Sequence, residues 1–403
     1  MGDQGHQLRG GVQPDVSAIT NVLAGRGFHG PGGTPLSEAL VFACAGGIGA
    51  GYLLWEFQHD GNKPLVLGFR GRWQYPQAWL QSTVDRLGVP AEVHTTTGAV
   101  RAAQRLTAEL AAGHAVIVLP DRYLLGYWHL PASTEAMGGH FVVAYGEEYG
   151  RVLVDDRNLA PLTVERAAFD RARSRVVSYQ NLLVRLEPPE GGISAEDLRV
   201  AVRAGLAECA ERLSAKSASF ALPAWAKWAR LLTDDRKPKG WPTVFADRGG
   251  LTGTLLSIWD GVTPAGMTGG SLRGLFADAL TESAGVLGLP RLAEQAHRWR
   301  EIDELWRQFA EAALDPGVEP FARMRELTST IADGVFAEGD ARQQAAGQAA
   351  AELWMLRAQC DAACPLSKED VLALFAGLAR RLEVIHEAET AAIAELRSVI
   401  HEP

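Results

Sequence analysis

The stretch Pro188-Pro189-Glu190-Gly191-Gly192 divides the chain into two kinds of sequence. Prolines and glycines packed this closely stop any helix or strand that runs into them, so the segment reads as a linker. Before it, short apolar runs alternate with short helical patterns. After it, apolar residues recur at helical spacing almost throughout. The fold expected is therefore α+β over residues 12–187, followed by an all-α helical domain over residues 193–403. A chain of 403 residues is long enough to hold both.

Residues 1–14 are rich in Gly and Gln and are expected to be loose. Asp15 then caps a short helix to residue 24, and Ser37 precedes a second one. Tyr52-Leu-Leu-Trp-Glu-Phe reads as helical after the glycines at 46, 47, 49 and 51. Residues 39–55 carry no charge, which approaches the lower limit for a membrane span, but their Ala and Gly content favours a buried, glycine-packed helix. Strands are expected over 65–69, 91–96, 115–119 and 176–186, with helices over 77–87, 99–112 and 164–173. Beyond the linker, Ser194 and Asp197 form a capping-box pattern that opens a helix to residue 213. Further helices fit 223–232, 271–287, 290–313, 319–336, 340–361 and 367–398, with a loop-like stretch at 234–269.

The strongest local signal is a hairpin between Gly138 and Asp156. Its first run, Gly-Gly-His-Phe-Val-Val-Ala-Tyr, and its second, Arg-Val-Leu-Val-Asp-Asp, flank a turn holding Gly146 and Gly150. In an antiparallel pair the start of one strand lies beside the end of the next. His140 is thereby brought close to Asp155 or Asp156, and an imidazole oriented by a carboxylate can act as a general base.

Other features carry weaker signals. Cys44 follows a short helix and precedes the glycine run; a thiol at a helix start would be stabilised as thiolate, although a free cysteine more often packs as a small hydrophobe. The segment after the 115–119 strand places Asp121, Arg122, Tyr123, Tyr127, Trp128 and His129 in a strand-end loop, where pockets often form. Cys360 and Cys364 lack the partners of a zinc site. The glycines after Cys44 do not fit a dinucleotide-binding loop, so no metal or cofactor is expected. The basic cluster Arg166, Arg171, Arg173 and Arg175 reads as a solvated face that could also dock an acidic partner, and the glycines around 247–253 and 269–274 read as helix-capping loops rather than pocket lining.

The formal net charge of −9 argues against a sequence-independent nucleic-acid binder. Residues 1–188 hold 16 Lys+Arg against 17 Asp+Glu, so the acidity lies in the second half. Four cysteines in so long a chain suggest no disulfide framework, and no basic-then-apolar leader is present, so a cytoplasmic protein free of membranes is expected.

Several motifs in order resemble the butirosin-biosynthesis protein H family over residues 12–187. They are Leu-Ser-Glu-Ala-Leu-Val-Phe42 with Gly-Gly-Ile-Gly-Ala-Gly-Tyr52, Asp121-Arg-Tyr-Leu-Leu-Gly-Tyr127, Gly-Gly-His140-Phe-Val-Val and Val-Leu-Val-Asp155-Asp156-Arg157. Gly-Gly-Ser-Leu-Arg-Gly-Leu-Phe-Ala-Asp278 and the helix around Trp299 and Trp306 resemble the helical domain that often follows it. The resemblance implies a papain-like cysteine-protease fold turned to acyl transfer from an acyl carrier protein thioester to a small-molecule acceptor, or to release by cyclisation. It implies His140 as base, with Asp156 rather than Asp155 as its partner. It also implies a cysteine near Pro14 or Asp15, but no cysteine precedes position 44.

Three expectations follow. Cys44 has taken over as nucleophile, with the glycine loop (Gly46, Gly47) supplying an oxyanion site; or His140 and Asp156 act as a dyad without a covalent intermediate; or the domain only binds. Asp121, Tyr123, Tyr127 and Trp128 are expected to line the substrate. A hydrolase of the thioesterase or peptidase type and a carrier-binding scaffold are the competing classes, and the sequence allows a homo-oligomer.

Overall fold

The computed structural model describes residues 5–55 and 63–401. In chain order its elements begin with α1 (Pro14–Gly25), α2 (Glu38–Cys44), β1 (Tyr52–Leu54), β2 (Leu65–Leu67), α3 (Pro76–Arg86), β3 (Ala91–His94) and α4 (Ala99–Ala111). Next come β4 (Val116–Val118), α5 (Arg122–Leu125), β5 (Val142–Glu148), β6 (Arg151–Asp155), β7 (Leu162–Glu165), α6 (Arg166–Arg175) and β8 (Leu183–Leu186). Helices follow: α7 (Ala195–Leu213), α8 (Pro223–Thr233), α9 (Trp241–Val244), α10 (Leu251–Val262) and α11 (Arg273–Leu287). The last four are α12 (Arg291–Ala313), α13 (Glu319–Phe336), α14 (Gln343–Ala362) and α15 (Lys368–Ile400). The architecture is α+β, with a sheet in the N-terminal part and a mostly helical C-terminal part.

Contacts gather these elements into two compact units that do not follow the linker at 188–192. One comprises residues up to Val41, Leu80–Leu198 and Ser329–Ala351; the other comprises Phe42–Trp79, Arg199–Thr328 and the chain from Glu352 onward.

The first unit is built on a six-stranded antiparallel sheet of order β3-β8-β4-β5-β6-β7. β4 is buried along its length and β5 over its first three residues: Val116, Ile117, Val118, Val142, Val143 and Ala144 are all solvent-free. Helices α1 and α4 pack on β5, so residues on both pleats of the strand lie against protein. The expected strand over 176–186 is shorter, because Gln180 and Asn181 adopt positive φ (50° and 51°) and extension resumes only at Leu183. Residue His6, in the segment expected to be loose, is fastened. Its Nε2 lies 2.8 Å from Asp155 Oδ2, and its ring stacks on Tyr145 at 4.8 Å.

The second unit contains β1 and β2, paired antiparallel with Tyr52 opposite Leu67, and a helical core. The expected helix from Tyr52 is thus corrected to a strand; a short apolar run does not distinguish the two by periodicity. Its expected end, Glu56 and Phe57, lies outside the described residues. Helix α10 was not anticipated, since Gly253 and Gly261 lower its propensity. Burial of Leu251, Leu255, Leu256 and Ile258 overrides that cost. A Cβ at Gly253 would lie 2.7 Å from Arg357 Nε, at the end of a flexible side chain that would have to move aside.

At the centre of this unit Glu389 is wholly buried and fully bonded. Arg273 donates to it through Nε (2.7 Å) and Nη2 (2.8 Å), and the indole N–H groups of Trp225 (3.0 Å) and Trp306 (2.7 Å) complete its shell. Glu389→Gln keeps the shape but removes the charge that Arg273 faces. Urea unfolding is expected to register a loss of about 2 kcal/mol, the scale of a hydrogen bond to a charged group. No helix among the described residues is long and apolar enough to cross a membrane.

Candidate active site at the mouth of the hairpin

β5 and β6 pair with Val143 opposite Asp155. His140 stands just before β5 and Asp156 just after β6, so the register sets them side by side. His140 Nε2 lies 2.8 Å from Asp156 Oδ2, and both side chains are buried. Adjacent residues on a strand point to opposite faces, so Asp155 and Asp156 cannot serve the same site. Asp155 faces α1 and the N-terminal segment, accepting from Asn21 Nδ2 at 3.0 Å, with His6 on the same oxygen.

The Asp156 carboxylate is heavily bonded. Tyr127 Oη (3.0 Å) and Trp128 Nε1 (3.1 Å) donate to the oxygen that meets His140, and Arg157 donates to the other at 3.3 Å. Burial alone would raise its pKa, but His140, Arg157 and the Trp128 hydrogen bond bring it down to about 2. It is therefore an anion, which only accepts, and His140 must present Nε2–H to it. That leaves the Nδ1 lone pair as the basic nitrogen. Nδ1 is shut off from solvent and has no partner among the described residues. Burial lowers the His140 pKa despite the opposing pull of Asp156, so the ring is neutral at neutral pH.

Helix α1 brings a second carboxylate alongside. Pro14 occupies its first turn, and the Gln13 side chain accepts from Val16 N–H at 2.7 Å. Glu38 anchors the segment by accepting from the backbone of Val12 and Gln13 and from Ser17 Oγ. Asp15 Oδ1 then accepts the Phe141 N–H at 2.8 Å, one residue from His140. Near the position where the family resemblance implies a thiol, the chain thus holds a carboxylate bonded to the backbone amide next to His140. A third group comes from α5: the Arg122 guanidinium donates through Nη2 to the Gly139 carbonyl at 3.2 Å. Tyr179 Oη accepts the Gly139 N–H, also at 3.2 Å.

Of the residues expected to line substrate, Tyr127 and Trp128 are buried and hold Asp156. Asp121 is fully buried and caps α5, accepting from Leu124 N–H (3.1 Å) and Ala136 N–H (2.8 Å); that is a structural role. Tyr123 lies on α5 next to Arg122 and is half-buried. Cys44 belongs to the second unit. It is wholly buried and is the last residue of α2, so it meets the negative end of that helix dipole rather than the positive end expected at a helix start. The glycine loop is likewise corrected. Its amides are engaged, Gly46 to Ala43, Gly47 to Phe42 and Gly49 to Phe69 carbonyls, and so are not free for an oxyanion. The glycines serve close packing instead: a Cβ on Gly47 would meet Phe276 at 2.9 Å, and one on Gly49 the Arg70 carbonyl at 2.3 Å.

Asp15 and Arg122 carried little signal in the sequence. Asp15 read as a helix cap and Arg122 as part of an aromatic loop; what places them is pairing over long separations. Among the described residues no group of three or more His, Cys, Asp or Glu is placed to hold a metal ion.

Comparison with known families matches residues 14–157 to the family described as Butirosin biosynthesis protein H, N-terminal, and residues 167–344 to a domain of unknown function, DUF4872. No curated protein matches the chain.

Proposed function

We propose, starting from a chain whose residues 14–157 belong to the butirosin biosynthesis protein H N-terminal family, that the first unit is a papain-like acyl-transfer site working through His140 without a cysteine nucleophile. The substrate is an acyl thioester on a carrier protein, and the product is an acylated acceptor or a cyclised, released chain. His140 Nδ1 takes the proton of the attacking amine, hydroxyl or carbon acid as its bond to the acyl carbon forms. The carbon–sulfur bond then breaks and the proton passes to the departing thiolate. Asp156 is the positioning residue: it fixes the tautomer and steadies the transient imidazolium.

The observation that carries this reading is the orphaned, buried Nδ1 of a histidine whose other nitrogen is locked to a carboxylate. The non-covalent version is favoured over Cys44 attack because Cys44 is solvent-free and closes its helix. The test is incubation with an acyl thioester surrogate and a panel of amine and hydroxyl acceptors, followed by intact mass and product mass. Cys44→Ala is expected to keep turnover within about twofold, with no acyl adduct on the wild-type chain. An adduct that disappears in Cys44→Ala would establish the covalent route instead. A product carrying only water would make the protein a hydrolase. Thioester binding with no turnover would leave a scaffold.

A further inference from the structure

Arg122 is a half-buried cation without a counter-ion. One N–H of its fork reaches the Gly139 carbonyl, while Nε is closed off from solvent with no partner. Among the described residues it forms no ion pair. Asp156 is engaged by His140 and Arg157, and Asp15 by the Phe141 amide; both act on Arg122 only through space. Burial consequently depresses the guanidinium pKa. A guanidinium whose Nε is closed off from water without a partner destabilises the fold unless something else is gained, because the lost hydration of that N–H is not replaced.

The surroundings indicate what is gained. A Cβ on Gly139 would lie 1.8 Å from the Pro120 carbonyl, so only glycine lets the chain pass between Arg122 and His140. Tyr179 Oη stands 3.2 Å from the Gly139 amide and from the position of a Gly138 Cβ. Its O–H has no acceptor among the described residues. Arg122 and Tyr179 therefore both bond to Gly139, the residue before His140, and the Arg122 charge lies close enough to His140 to be felt by its ring.

We infer that Arg122, helped by the Tyr179 hydroxyl, receives a carboxylate of the substrate beside His140. A planar fork with unused donors matches a carboxylate in two-point contact, and a standing negative charge is what this unneutralised, half-buried guanidinium lacks. The acceptor or the acyl chain would thus be an acid, held so that a neighbouring proton faces Nδ1. This assignment to the substrate rests on the acyl-transfer reading; the carboxylate site itself does not.

The test is calorimetric titration of the full-length protein with acetate, hexanoate and benzoate, each against its primary amide, with inorganic phosphate as a further probe. At least one acid is expected to bind more than tenfold tighter than its amide, and Arg122→Gln to abolish that preference. Arg122→Met serves should the Gln variant fail to fold. Since no ion pair is lost, the melting midpoint of either variant is expected at or above that of the wild type. His140→Ala is expected to keep acid binding while losing turnover, which separates failure of this site from failure of the reaction assigned to it. Equal binding of acids and amides, phosphate binding alone, acid binding unchanged in Arg122→Gln, or a lowered midpoint in both variants would each overturn the assignment.

Discussion

Replacing His140 by alanine is expected to cut thioester turnover by about a hundred- to ten-thousand-fold, the range that a positioned general base supplies. The protein should stay folded. Asp156 keeps its bonds from Tyr127, Trp128 and Arg157, so the variant loses one hydrogen bond and some packing, about 1–3 kcal/mol. The pH profile adds an independent readout. The active form is the neutral ring, and burial lowers its pKa below the ordinary 6.5. Activity should therefore persist through pH 6.5 and fall only as the pH drops through that lower value. A reaction needing imidazolium would rise over the same interval. An acid limb at or above 6.5, or turnover unchanged in His140→Ala, would remove His140 from the chemistry.

The part of this site readable from sequence is the part that is local. The hairpin announces itself through two apolar runs and a glycine turn, and once its register is fixed Asp156 must come beside His140. Its other members answer to contacts far apart in the chain. Asp15 meets Phe141 across 126 positions, and nothing in Pro-Asp-Val-Ser distinguishes an N-terminal helix cap from a carboxylate that accepts the amide next to a histidine. Tyr127 and Trp128 looked like pocket lining because aromatic residues in a strand-end loop often are; burial turned them into donors for a carboxylate. The same logic explains the errors around Cys44. A glycine run after a helix suggests exposed amides, but three of those amides close against nearby carbonyls, a pairing that depends on how the chain turns at positive φ at Gly46 and Gly47. The helical second half was legible by period, except where burial of α10 outweighed its glycines.

Asp156→Ala is expected to be the most damaging single change in the first unit. It removes the acceptor of Tyr127, Trp128 and His140 and the carboxylate that faces Arg157, all in a buried setting. Breaking a buried charged pair from one side typically costs about 3–5 kcal/mol. Asp156→Asn should cost less, because the amide oxygen still accepts. It should nevertheless lose turnover about as fully as His140→Ala, since an amide can also donate to Nε2, so that it no longer enforces the Nε2–H tautomer, and it does not steady an imidazolium. The carboxylate has a pKa of about 2 in the fold against an ordinary 3.8, so its contribution is complete above 3.8 and fades as the pH falls toward 2. Urea unfolding of wild type and Asp156→Ala across that window should therefore show the stability gap narrowing on acidification. A gap that stays constant with pH would mean that the loss comes from packing rather than charge. A gap below about 1 kcal/mol at neutral pH, with Asp156→Asn still active, would show that the carboxylate neither holds the fold nor orients His140.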